Sequence, residues 1–131
     1  MSAEQNKQAV REMSAAFSAG DIDKAFAFYA DDIQWTITGT TAYSGTYRGK
    51  QDLTKRLMGK LGEDLEGGLK ITIDNLIAEG DYVVYQSHGQ AKTKRGADYN
   101  NTYCMVYRFA DGKVVEVTEY LDTELVRRVL G

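Results

Sequence analysis

Two spacings of apolar residues alternate along the chain, and the points where one gives way to the other mark its elements. In residues 3–19, Val10, Met13, Ala16 and Phe17 recur at helical spacing, and Gly20 follows as a left-handed stop. The spacing predicts a first helix. Asp21 is placed to accept from the free amides of the next turn, with Ile22, Ala25, Phe26 and Tyr29 as the buried stripe of a second helix. The link is one or two residues, so the two helices form an αα-hairpin. From Ile33 the period becomes two: Ile33, Trp35 and Ile37 share one face and Gln34, Thr36 and Thr38 the other, which predicts a strand. The run GTTAYSGTYRG has neither period and reads as a loop or short ribbon at a rim, with Tyr43 and Tyr47 free to line something. Leu53, Leu57, Met58 and Leu61 then mark a third helix over 49–61.

GEDLEGG, residues 62–68, reads as a loop. Its glycines lack the Gly-Lys-Ser/Thr signature of a phosphate cradle and stand among three acids. Three long strands follow, over 69–78, 82–94 and from Tyr99 into a hairpin that ends near Asp122. Aromatic and β-branched residues fill both arms of that hairpin around Ala110-Asp111-Gly112. A three-residue turn with Gly112 left-handed sets Phe109 opposite Lys113 and pairs Tyr107/Val115, Met105/Val117 and Tyr103/Glu119. One face then carries Tyr103, Met105, Tyr107, Val115, Val117 and Glu119. A carboxylate at the end of an apolar row needs water or a partner. The order ααβαββββ predicts a single α+β domain over 1–131 in which helices cover one face of an antiparallel sheet.

Composition narrows the function classes. A chain of 131 residues with 43% hydrophobic and 27% charged residues is one ordinary globular domain. Its net charge is −3 and its 16 Lys and Arg form no basic stripe, which argues against a nucleic-acid partner. The apolar runs are too short for a membrane helix or a secretory core, so a cytoplasmic, non-membrane protein is expected. Cys104 is alone and mid-strand, as a packed thiol would be, and one histidine without zinc-type spacing predicts no metal site.

GDIDKAFAFYADDIQW closing the helix pair, YRGKQDL opening the third helix and the final FADGKVVEVTEYLD together resemble the nuclear transport factor 2-like superfamily, in its SnoaL-like and ketosteroid isomerase-like branch. The resemblance covers nearly the whole chain. It implies a cone in which a curved sheet wraps around three helices, an apolar pocket at the wide end, and a homodimer through the outer sheet face. Tested position by position, the ketosteroid isomerase groups are absent: Ile37 stands for the general base, Met13 for the oxyanion-hole Tyr and Met105 for the neutral Asp. An apolar side chain can neither take an α-proton nor donate to an enolate, so that mechanism is excluded. The limonene epoxide hydrolase triad maps onto Gln86, His88 and Glu119, a partial match that lacks the Arg and the first Asp.

The candidate catalytic residues are therefore His88, Glu119 and Asp122. A His88–Glu119 pair would be a proton-transfer unit with the carboxylate orienting the imidazole, while Asp122 is either a second acid or the cap of the C-terminal turn. The pocket lining is assigned to Trp35, Ile37, Tyr43, Leu57, Met58, Leu61, Tyr103, Met105 and Val117, with Gln86 as its polar member. Two functions fit: a cofactor-independent lyase, isomerase or cyclase acting on a small, largely apolar carbonyl compound, or a non-catalytic protein that holds a hydrophobic ligand or serves as a dimeric partner domain.

Overall fold

The computed structural model describes residues 2–130. Helix α1 (Ala3–Ser18) opens with a capping box, in which Ser2 Oγ accepts from the Gln5 amide at 3.1 Å and the Gln5 side chain accepts from the Ser2 amide at 2.9 Å. It buries Ala9, Val10, Met13 and Ala16 and stops at Gly20, whose φ of 82° lies in the left-handed region. Helix α2 (Ile22–Phe26) is capped by Asp21, which accepts from Lys24 at 3.2 Å. It is shorter than its apolar stripe predicts: Tyr29 opens strand β1 (Tyr29–Ile37) instead of closing the helix, because Val114 donates to Phe28 and draws the chain into the sheet.

Strand β2 (Gly45–Arg48) pairs antiparallel with β1 as the rim ribbon. The third helical segment begins as α3 (Lys50–Asp52), passes through a π-helical stretch at Leu53–Met58 and continues as α4 (Gly59–Asp64). The stretch expected as a loop at 62–68 is divided between α4 and strand β3 (Leu65–Glu79). Gly67 and Gly68, at φ of 76° and 82°, take up a register shift inside β3, while Leu65 already pairs with Thr93. The chain is bulged there, not released.

Strands β4 (Tyr82–Thr93), β5 (Thr102–Ala110) and β6 (Lys113–Leu121) complete a six-stranded sheet in the order β2-β1-β6-β5-β4-β3. All neighbours are antiparallel except β1 and β6, which run parallel. The β5–β6 turn has two central residues: Asp111 and Gly112 are both left-handed, at φ of 51° and 78°, and Ala110 pairs with Lys113. This corrects the expected register. Val115 is left over as a bulge between the Arg108–Glu116 and Phe109–Val114 pairs, so Tyr107 meets Val117, Met105 meets Glu119 and Tyr103 meets Leu121. The displacement is two residues, so Tyr103, Met105, Tyr107, Val117 and Glu119 keep their shared face, while the bulge gives the buried place near the turn to Val114 and leaves Val115, expected on that face, half-buried.

The C-terminal turn is a helix, α5 (Thr123–Leu130), capped by Asp122 through a 3.1 Å bond from the Leu125 amide, and it buries Val126. The architecture is α+β, a curved, unclosed sheet wrapped around its helices, and none of those helices is long and apolar enough to cross a membrane among the described residues. Gly39 sits where α5 meets the β1–β2 connection: its φ is +95° and an added Cβ would lie 2.7 Å from Thr123 Cγ2. Gly39→Ala should cost about 2 kcal/mol or more, and Gly20→Ala, left-handed but with open space around it, about 1 kcal/mol; urea unfolding of the two variants checks the difference.

Candidate functional site

The concave face of the sheet holds one row of side chains that crosses five strands: Ile37, Glu119, Met105, Tyr85 and Leu76 are successive partners on β1, β6, β5, β4 and β3. Beside it runs an aromatic series, Phe26–Tyr29–Trp35–Tyr107–Tyr85, with ring centroids 5.1, 5.7, 6.1 and 5.8 Å apart, the first pair tilted and the other three edge-to-face. Such geometry matches ring edges to ring faces and fixes each ring's orientation. Between this wall, α1, the π-helical stretch and α5 lies a cavity of about 100 Å³.

Glu119 is the acidic member of the lining, and no Lys, Arg or His lines the cavity among the described residues. Its side chain is 8% exposed and Oε1 accepts from Trp35 Nε1 at 2.9 Å. Its backbone is held as firmly, because the Glu119 carbonyl accepts from both the amide and the hydroxyl of Thr38, each at 3.1 Å. Burial pushes the carboxyl up to about 7, with the indole bond acting against the rise. At neutral pH the site is therefore poised between acid and carboxylate.

Of the expected lining residues, Trp35, Ile37, Tyr43, Leu57, Met58, Leu61, Tyr103 and Met105 border the cavity with Glu119. Val117 is buried in the neighbouring row, opposite Trp35 and Tyr107, and does not border it. The His88–Glu119 pair is not formed. On β4 the buried positions are Val83, Tyr85, Ser87, Gly89 and Thr93, so His88 and Gln86 point to the outer face. There His88 Nδ1 lies 2.9 Å from both carboxylate oxygens of Asp74, with the two side chains 44% and 48% exposed. Asp122 is exposed and occupied as the α5 cap.

The sequence reading missed the opposite parity of β4, and with it Tyr85 and Ser87. Tyr85 shares a 2.6 Å hydrogen bond with Ser14 of α1, and Ser87 Oγ is buried with no well-formed hydrogen bond. Gly89 was the available signal. An added Cβ there would meet Leu69 at 2.9 Å and Tyr103 at 3.3 Å, so the one glycine of β4 marks the crowded face. Tyr43, at the rim, donates to Asp64 at 2.5 Å, and Tyr47 donates to the Tyr43 carbonyl at 2.6 Å, tying the β1–β2 connection to α4. Burial and the Asp64 carboxylate push the Tyr43 phenol up, and burial does the same to Tyr29, Tyr103 and Tyr107, so these hydroxyls act as neutral donors.

A curved, unclosed sheet wrapped around its helices defines the nuclear transport factor 2-like fold class. A sequence profile of the SnoaL-like domain matches residues 10–117, and the chain belongs to that family. It is similar to a nuclear transport factor 2-like protein of unknown function from Burkholderia pseudomallei, at 23% identity over all of both chains with a TM-score of 0.87. It is also similar to a protein provisionally assigned as a SnoaL-like polyketide cyclase from Jannaschia, at 18% identity over 96% of this chain and 91% of that one, with a TM-score of 0.81. An uncharacterised protein of Mycobacterium tuberculosis is 22% identical over 111 residues, 85% of this chain and 84% of its own.

The raised carboxyl has a stability consequence of definite sign. The folded protein holds the Glu119 proton up to about pH 7 while the unfolded chain releases it near 4.5, so stability falls as pH rises between those values and levels off above. Glu119→Gln removes this slope and keeps an acceptor for Trp35. Its stability relative to the parent should climb by about 3 kcal/mol in all between pH 4.5 and 7.5, as read from thermal midpoints across the range.

Proposed function

We propose that the protein is a cofactor-independent lyase, isomerase or cyclase in which Glu119 alone is the acid–base group for a small, largely apolar carbonyl compound. The observation that carries this reading is the position of Glu119: a carboxyl near neutrality, oriented by an indole, inside an aromatic cavity with no counter-charge. As carboxylate it takes a proton from the carbon next to the carbonyl, the electron pair moves into an enolate, and the resulting acid returns the proton to carbon or oxygen elsewhere. Neutral tyrosine hydroxyls around the cavity suit an enolate oxygen, and the apolar walls strengthen each hydrogen bond by excluding water. The likeness to a provisionally assigned polyketide cyclase supports the same chemistry, since ring closure of that kind starts from an enolised carbon.

Proton–deuterium exchange at the methyl group of acetophenone in heavy water tests the reading by NMR. The protein should accelerate exchange by roughly 10²-fold or more over buffer, with a rate that rises through about pH 7. Glu119→Gln should abolish the acceleration, and His88→Ala should leave it intact. Binding with no exchange would instead mark a protein that holds its ligand unchanged.

We also propose that two copies pair through the outer sheet face. Ile77, Tyr82 and Tyr120 are 54%, 50% and 50% exposed there, around the cross-strand neighbours Val84 and Val106. An apolar surface of this kind favours a second copy of itself. Val106→Glu should convert a dimer to a monomer in sedimentation velocity and leave the acetophenone exchange rate unchanged.

A further inference from the structure

The cavity has a second polar end that the acid–base chemistry of Glu119 does not use. Tyr85 lies in the same cross-strand row as Glu119, with Met105 between them, so the two stand two strands apart, about 10 Å at the backbone. Ser87 follows Tyr85 on the same face of β4, and Ser14 approaches from α1. All three border the cavity and are buried, at 4%, 3% and 8% exposure. They carry three hydroxyl hydrogens, and one hydrogen bond, Ser14–Tyr85 at 2.6 Å, is formed among them. Burial raises the Tyr85 phenol, and Ser14 and Ser87 act against that rise, yet Ser87 completes no hydrogen bond.

A buried hydroxyl without a partner costs stability, and a chain selected for stability alone would carry Ala at such a position. Among the described residues, Ser87 Oγ is one of two buried side-chain polar atoms in that condition, and it borders the cavity. We infer that Ser14, Tyr85 and Ser87 form an oxygen-binding subsite, and that the ligand is a dioxygenated compound with a carbonyl beside Glu119 and a hydroxyl or second carbonyl at its far end. The free hydroxyl hydrogens donate to that far oxygen, and their lone pairs accept from it if it is a hydroxyl. A neutral group is required, because no cation lines the cavity to balance an anion. Met105, between the two ends, holds the span apolar, as a flat ring or short hydrocarbon bridge would need.

This inference rests on the acid–base reading of Glu119, and the test separates the two. Acetophenone and 4-hydroxyacetophenone are titrated into the full chain, and binding is followed at the indole N–H resonance of Trp35, which is unique because the chain has one tryptophan. The parent protein should bind the hydroxylated ketone about five- to tenfold more tightly. In Ser87→Ala the two affinities should converge to within about twofold, with acetophenone binding unchanged and the thermal midpoint equal to or above the parent's. A purely structural Ser87 predicts the reverse, a lowered midpoint with the preference intact. Equal affinities in the parent, a preference that survives Ser87→Ala, a destabilised Ser87→Ala, or no binding of either ketone would each overturn the subsite. Loss of methyl exchange in Glu119→Gln with equal affinities in the parent would remove the subsite and leave the acid–base reading standing. Exchange unaffected by Glu119→Gln would remove that reading instead.

Discussion

The 2.9 Å bond between the Trp35 indole and the Glu119 carboxyl is the interaction on which the rest of the site depends. A carboxyl placed among aromatic rings is costly to ionise, and that cost raises its proton affinity. Without a donor the group would stay protonated well above neutrality or swing toward solvent. With a single neutral donor it is held in place and only partly stabilised as an anion, which leaves it near 7. An arginine or lysine in the position of Trp35 would pair the charge fully and hold the carboxylate permanently ionised, a weaker acid–base group at neutral pH. The indole gives orientation without neutralisation.

Much of the fold was legible because its signals were local. The capping residue Asp21, the stop at Gly20 and the alternation through Trp35 each fix a boundary by chemistry within one turn or strand. The hairpin was misread in its turn and kept its faces beyond the bulge, where exchanging a three-residue turn for a two-residue turn with a bulge moves the register by two; at the bulge Val114 took the buried place expected for Val115. Tyr103, Met105 and Glu119 therefore arrived on the concave side despite the wrong partners. The short helix α2 and the bulge at Gly67 and Gly68 depend on pairings with Val114 and Thr93, distant in sequence, and no window around them holds that information.

The candidate site was half legible for a related reason. On β4 both faces offer the same kind of series: Val83, Tyr85, Ser87 and Gly89 on one, Tyr82, Val84, Gln86 and His88 on the other. Each runs from apolar to polar or small, so alternation cannot choose between them. The choice is made by what packs on either side, α1 against Tyr85 and Asp74 against His88. A histidine two residues from an amide draws the eye as chemistry, whereas a serine beside a glycine reads as plain strand. In this protein the serine has the more demanding environment.

The parallel pairing of β1 with β6 has a consequence for how the molecule comes into being. Trp35 and Glu119 are separated by 84 positions, and β1 finds its second neighbour only when β6 is present. A chain emerging from the ribosome can form the α1–α2 hairpin and pair β1 with β2 early, but this fragment exposes Ile33, Trp35 and Ile37 until β6 arrives. Contacts of such long range close slowly, because loop entropy must be overcome before they form. The cavity is thus a late product of folding, assembled in the same event that covers the N-terminal third, and a polypeptide arrested before β6 would display a hydrophobic strand suited to chaperone capture.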